Sequence, residues 1–286
     1  MSHRFATALV LLATSCVSPG MAVSGTLDQI RKSGELRIAY RTDALPLSFN
    51  DSDGQPAGYS VDLCRRIAAA VKDNLKRSDL KVTFVPVTAE NRLEAIVNDK
   101  ADIECGSTTI TLSRERKVDF TLMTFVTGGS LLSLADSGIT SLNDSTGKSV
   151  AVVRGTTTES ALHGYLTKNL IDAKVISVAS LGDAMKQLDA KQVAAVASDQ
   201  VVLIGQMIQA VDPTKYRLSR ELFSYEPYAL MLRRNDADFR LVANQALAQL
   251  YREGQFEQLY DKWFGQAGVK PSAILGAMYV LQAIPE

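Results

Sequence analysis

Apolar and polar residues alternate over Leu36–Tyr40, and a segment dense in turn formers follows, Asn50-Asp-Ser-Asp-Gly54-Gln-Pro56. The first element predicted is therefore a short strand running into turns. From Tyr59 to Val71 the apolar residues Val61, Ile67, Ala68 and Val71 return at helical spacing, with Arg65, Arg66 and Lys72 among and after them, which predicts an amphipathic helix. Lys81–Val87 reads as a second strand, Glu90–Asn98 as a helix, and Ala101–Cys105 as a strand ending in the polar turn Gly106-Ser-Thr-Thr109. Strand, helix, strand, helix, strand is the order expected of a parallel sheet covered by helices.

The pattern restarts after Gly128-Gly129. Strands are predicted at Ser149–Val153, Val175–Val178 and Ala194–Ala197, and helices at Thr157–Asn169, Leu181–Ala190 and Val201–Ala210. A strand then returns around Tyr225–Leu232, and helices follow at Asp238–Tyr251 and Gln255–Trp263. Two α/β units joined by extended segments predict two lobes with a cleft between them, and in such sheets ligands gather at the carboxyl ends of the strands.

The amino terminus departs from this grammar. Arg4 precedes a nearly continuous apolar run, Phe5–Val17, and the small and helix-breaking residues Pro19-Gly-Met-Ala22-Val-Ser24 close it. That order predicts a signal peptide over residues 1–24, cleaved near Ala22–Ser24. The run is too short to span a bilayer, as is the apolar segment Ala273–Ile284. Cys64 and Cys105 would then sit in an oxidising compartment, where a bridge and two buried thiols are both open.

Charge and composition narrow the chemistry. The 286 residues carry 31 Lys+Arg against 31 Asp+Glu, and removal of Arg4 leaves the mature chain one unit negative, so a broad nucleic-acid surface is not expected. Three cysteines and two histidines, without a Cys-x-x-Cys or a helical His pair, give no metal centre, and no cofactor is implied. Gly147-Lys148-Ser149 lacks the first glycine of a P-loop, and a strand follows it where a helix is required. Ser145-x-x-Lys148 lacks the companion motifs of a Ser-Lys nucleophile. His163 falls within a predicted helix, away from the strand ends.

The polar residues that do fall at strand ends are Arg41, Arg92, Ser107, Thr109, Arg114, Thr157 and Asp199. Singly, each reads as a surface arginine or a helix cap. Together they suit a ligand bearing a carboxylate and an ammonium. Arginine and the helix start at Gly155-Thr-Thr157 would take the acid, and Asp199 the amine.

Several stretches carry a resemblance. Thr26-Leu-Asp-Gln-Ile30-x-x-Ser-Gly34-x-Leu-Arg-Ile38, Gly58-Tyr-Ser-Val-Asp62-Leu, Arg92-Leu-x-Ala-Ile96, Arg114-x-x-x-Val-Asp-Phe120, Gly155-Thr-Thr157 and Lys262-Trp-Phe264 resemble the bacterial periplasmic solute-binding proteins of the polar amino-acid family. Asn91-Arg92 with Glu104-Cys-Gly-Ser-Thr-Thr109 is most similar to its glutamate/aspartate-binding branch. The resemblance implies a two-lobed α/β fold of the type II periplasmic-binding-protein class. Lobe 1 would comprise residues 25–127 with 226–270, and lobe 2 residues 128–225, with a tail at 271–286. A two-strand hinge is expected near Phe125–Gly129 and Ser224–Tyr228.

The resemblance further implies a periplasmic, monomeric binding component of an amino-acid ABC transporter that delivers its ligand to an inner-membrane permease. In it Arg114, Thr109 and Thr157 would hold the ligand α-carboxylate, and Asp199 with Ser107 the ammonium. Arg41 and Arg92 would meet a side-chain carboxylate, so that glutamate or aspartate is the expected ligand. Three arginines around one small molecule favour that choice, because a neutral ligand would leave charge uncompensated. Ala89 and Leu181 depart from the branch, which carries a serine and a histidine there, and Leu230 replaces a cysteine able to pair with the one matching Cys105. Cys105 is accordingly expected to lack that partner. A dehydratase-like enzyme of the same fold and a ligand sensor for a membrane receptor are the rival readings. No acid/base pair beyond the binding set supports the enzyme.

Overall fold

The computed structural model describes residues 25–265, 268 and 270–285; the predicted signal peptide lies outside them. The chain enters through α1 (Thr26–Ser33), which Gly34 ends in the left-handed conformation, its N–H bonded to the Ile30 carbonyl, the turn that glycine adopts without a Cβ penalty. β1 (Glu35–Arg41) follows, then three short strands, β2 (Asp43–Ala44), β3 (Ser48–Asn50) and β4 (Pro56–Ala57), that form a small antiparallel sheet of their own. In α2 (Tyr59–Leu75) the positions Leu63, Ile67 and Val71 are fully buried, as the helical spacing requires. β5 (Lys81–Val87), α3 (Arg92–Val97), β6 (Ile103–Glu104), α4 (Leu112–Glu115) and β7 (Val118–Thr127) complete the outward path.

β8 (Gly129–Leu134) opens the second unit, followed by β9 (Ser149–Val153), α5 (Thr157–Lys168), β10 (Lys174–Val178), α6 (Leu181–Asp189), β11 (Ala195–Asp199), α7 (Gln200–Gln209) and β12 (Tyr216–Leu218). The chain then returns as β13 (Glu226–Arg233) and ends in α8 (Ala237–Arg252), α9 (Gln255–Phe264) and α10 (Ala273–Leu281).

Two five-stranded sheets result, ordered β5-β1-β6-β13-β7 and β10-β9-β11-β8-β12. Each is mixed where a parallel sheet was expected. β1 is parallel to β5 and β6, but β13 runs antiparallel to both β6 and β7. Likewise β9 is parallel to β10 and β11, whereas β8 is antiparallel to β11 and β12. The antiparallel members are the strands that carry the chain from one sheet to the other, or lie beside them. β13 is the centre of this arrangement: Tyr228 through Leu232 are all buried, as befits a strand with neighbours on both edges and cover on both faces.

The two crossings touch. Glu226 pairs with Thr127, Gly129 N–H donates to Ser224 Oγ at 2.9 Å, and Phe223 N–H donates to the Gly129 carbonyl at 2.9 Å. A Cβ on Gly128 would overlap the Ser224 carbonyl, and one on Gly129 would meet the Phe223 ring at 2.7 Å. The adjacent glycines therefore permit the close approach of the two linking segments. The fold is the two-lobed α/β architecture joined by two strands, with each lobe packed around its own sheet.

Cys64 and Cys105 form a disulfide. Cys105 thus has a partner, on α2 and not on the strand where Leu230 stands. The 41-residue separation hid the pairing, because proximity depends on how α2 lies against the end of β6.

Candidate functional site

The carboxyl ends of β1, β6, β9 and β11 converge on the cleft between the lobes, and each delivers polar residues to it. Arg41 ends β1. Ser107 and Thr109 follow β6, and Arg114 lies in α4, where Thr111 Oγ1 accepts its backbone N–H at 3.2 Å. Thr157 opens α5, with Thr156 capping that helix at Glu159 N–H, 3.1 Å away. Asp199 ends β11. Arg92 opens α3 and is buried.

All seven residues singled out in the sequence form one connected group. Arg41, Arg92, Ser107, Thr157 and Asp199 line the cleft directly. Arg92 Nη1 donates to the Ser107 carbonyl at 3.0 Å and Arg114 Nη1 to the Thr109 carbonyl at 2.7 Å. The hydroxyls of Thr109 and Thr157, from opposite lobes, lie 3.1 Å apart. The walls are in contact, leaving a cleft volume of about 20 Å³. A Cβ on Gly155 would come within 3.3 Å of Glu90 Cα, and one on Gly205 would overlap the Leu45 carbonyl oxygen, so the facing surfaces meet backbone to backbone.

Four acids complete the site, three of them unassigned from the sequence. Glu226 Oε2 accepts from Thr109 Oγ1 and Thr157 Oγ1, each at 2.6 Å, while its Oε1 accepts from Ser224 Oγ at 2.6 Å. One carboxylate at the hinge therefore ties both lobes together. Glu104 is fully buried, and its Oε2 accepts from Thr108 Oγ1 at 2.8 Å. Its Oε1 has no hydrogen-bond partner among the described residues. Asp43 Oδ1 accepts from Arg41 Nε at 2.9 Å and Nη2 at 2.6 Å. Asp199 is placed to cap α7 but makes no cap bond. Instead its Oδ1 accepts from Thr158 Oγ1 at 2.5 Å, and its Oδ2 from the hydroxyl of Tyr228, on the first lobe's β13.

These contacts set the charges. Burial lowers the Arg92 guanidinium to about 9, with the neighbouring Arg114 pushing the same way and Glu104 opposing. Burial also lowers Arg114, against the pull of Glu104 and Glu226, and raises Glu104, against the pull of Arg92. Asp199 is raised to about 6, by burial first and by the Glu226 charge second. The three arginines are not without counter-charges: Asp43 pairs with Arg41, and the buried Glu104, Glu226 and Asp199 act on Arg92 or Arg114, so arginine charge alone does not select a doubly acidic ligand.

One smaller expectation changes as well. The Gly155 N–H is taken by Glu159 Oε2 at 2.9 Å, so that amide at the start of α5 is not aimed at the cleft. Ser145 Oγ donates to the Leu142 carbonyl at 2.5 Å and is buried, and Lys148 meets Ser145 through its backbone N–H, which donates to the Ser145 carbonyl at 2.9 Å; His163 is exposed on α5. Among the described residues no group of His, Cys, Asp and Glu has the arrangement of a metal site.

This arrangement offers carboxylate acceptors and guanidinium donors on two walls that meet, a geometry suited to a small zwitterion. Residues 36–266 match the bacterial extracellular solute-binding proteins, family 3. The glutamate/aspartate import solute-binding protein of Salmonella typhimurium is 34% identical over 243 residues, covering 85% of this chain and 80% of that protein. The L-glutamate/L-aspartate-binding protein of Pseudomonas aeruginosa is 33% identical over 261 residues, covering 91% of this chain and 86% of its own. Among solved structures, the cysteine-binding protein of Campylobacter jejuni superposes with a TM-score of 0.76 at 26% identity, over 86% of this chain and 97% of that one. These relatives are named as binding proteins and not as enzymes.

Proposed function

The chain belongs to family 3 of the bacterial extracellular solute-binding proteins, and on that premise we propose that it works in the periplasm as the monomeric amino-acid-binding component of an ABC transporter. Lobe 1 comprises residues 25–127 with 226–270 and lobe 2 residues 128–225. The ligand zwitterion lies between them, its carboxylate at Arg114, Thr109 and Thr157 and its ammonium at Asp199 and Ser107. Arg41 and Arg92 face its side chain. The names of the relatives support glutamate or aspartate, and a side-chain amide of either fits the same pocket. The loaded, closed form is what an inner-membrane permease would recognise.

The observation that carries this reading is the split of the site across the cleft. Arg114 and Thr109 stand on one lobe, Thr157 and Asp199 on the other, already linked through the Thr109–Thr157 contact and Glu226. A ligand that touches both walls binds the closed form in preference to the open one, and that difference alone drives closure. A thermal-shift screen of the mature protein against the common amino acids tests it. One or a few should raise the melting temperature, by an amount that grows with the logarithm of concentration above Kd; a flat response to all of them would contradict it.

A further inference from the structure

Asp43 is a resident carboxylate in the pocket assigned to the ligand side chain. It is held by two N–H groups of Arg41, at 2.9 and 2.6 Å. The Arg41 side chain is buried and that of Asp43 one-quarter exposed, so the pair sits at the cleft and not on the outer surface. Its second oxygen, Oδ2, reaches across to the opposite lobe, where the Leu181 N–H at the start of α6 lies 3.4 Å away. That contact is long, which leaves Oδ2 the less satisfied of the two oxygens. Arg41 uses Nε and Nη2 for the pair, and Nη1 takes no part in it.

The cleft thus presents both kinds of partner: an acceptor, Asp43 Oδ2, and guanidinium donors on Arg41 and Arg92, all three residues lining the same cavity. A side-chain carboxamide matches this, with a carbonyl to accept and an NH₂ to donate. A side-chain carboxylate offers acceptors only. It would meet an arginine whose charge is already neutralised and a like charge beside it, an arrangement that works against binding. Leu181 and Ala44, which also line this part of the cleft, add no donor side chain to restore the balance. A cationic side chain would face the Arg92 guanidinium on the same cavity.

We propose that Asp43 is a specificity-determining residue that turns the side-chain pocket from one that reads a carboxylate into one that reads a carboxamide, so that the ligand is glutamine or asparagine. The proposal rests on the amino-acid-binding reading above and sharpens its ligand class.

Calorimetry on the full mature protein with L-glutamine, L-asparagine, L-glutamate and L-aspartate tests it. In the wild type the better amide should bind about tenfold or more tighter than the corresponding acid. Asp43→Ala should shrink that ratio by about tenfold or more, the acid gaining affinity. A wild type that binds the acid as tightly as the amide overturns the proposal, as does a folded Asp43→Ala protein with an unchanged ratio. If the variant does not fold, the wild-type ratio decides alone. Binding confined to some other amino acid overturns the proposal and leaves the function intact, whereas no heat with any of the common amino acids overturns both.

Discussion

Arg114 joins α4 to the loop that follows β6 through its bond to the Thr109 carbonyl, and its guanidinium is the cation proposed to take the ligand α-carboxylate. Arg114→Ala should cost about 2–5 kcal/mol of ligand affinity, the usual penalty for stranding a buried charge partner. Calorimetry showing a loss below about 0.5 kcal/mol would contradict that role. Asp199 gives a second test. With burial and the Glu226 charge raising it to about 6, it is a carboxylate at neutral pH and protonates as the pH falls through that value. Only the carboxylate offsets an ammonium, so affinity should be level above about pH 7 and fall by up to about tenfold per unit well below 6. The sign for folding is opposite: a raised carboxyl favours the folded state at low pH, and that contribution is lost as pH rises through about 6. An affinity unchanged down to about pH 5 would remove Asp199 from the ammonium site. The seven polar residues at strand ends were legible in the sequence because position and chemistry coincided. Glu226 was not, because it bonds across 117 residues to Thr109, a distance along the chain that no local pattern reports; Asp43 and Glu104 bond to the near neighbours Arg41 and Thr108, and local pattern does not tell a cleft acid from a surface one.

Among the elements, the longer helices, the parallel strands and the antiparallel β13 were legible from the sequence pattern, and the antiparallel β7, β8 and β12 were not. β8 and β7 are near-continuous apolar runs with scattered Thr and Ser, which periodicity alone cannot distinguish from linkers between units. The tail is the clearest case. Its apolar run forms α10, which lies on β7: Tyr279 is fully buried, its hydroxyl 2.7 Å from that of Tyr59 and 3.3 Å from the Thr124 carbonyl. Gln282 Oε1 accepts from Met123 N–H at 2.7 Å and its Nε2 donates to the Met123 carbonyl at 3.1 Å. β7 is an edge strand, and Gln282 satisfies the backbone groups that such an edge leaves open. Tyr279→Ala should therefore destabilise the protein by about 3–5 kcal/mol, as removal of a fully buried aromatic does. Urea denaturation giving a loss under about 1 kcal/mol would show that α10 is not part of the first lobe's core. The disulfide belongs to this scale too: it fastens the start of the Ser107–Thr109 loop to α2, so the proposed ligand donors stand on a braced support.

For the molecule as a whole, the central property is that two lobes share one site. Their surfaces meet at Gly205, where a Cβ would overlap the Leu45 carbonyl oxygen of the other lobe. Gly205 lies within α7, and alanine is the better helix former there. Gly205→Ala should thus leave the melting temperature of the ligand-free protein unchanged or raised. Closure would be obstructed at a cost of about 1–3 kcal/mol, lowering ligand affinity by about tenfold or more at the midpoint of that range. A variant with full affinity would mean that binding does not bring Gly205 against Leu45.

The most direct measurement is a crystal structure of the protein grown with the amino acid that gives the largest thermal shift. The account predicts that amino acid between the lobes, its α-carboxylate within hydrogen-bond reach of Arg114 and its ammonium against Asp199. A ligand seated elsewhere, with Arg114 and Asp199 both turned to bulk water, would contradict it.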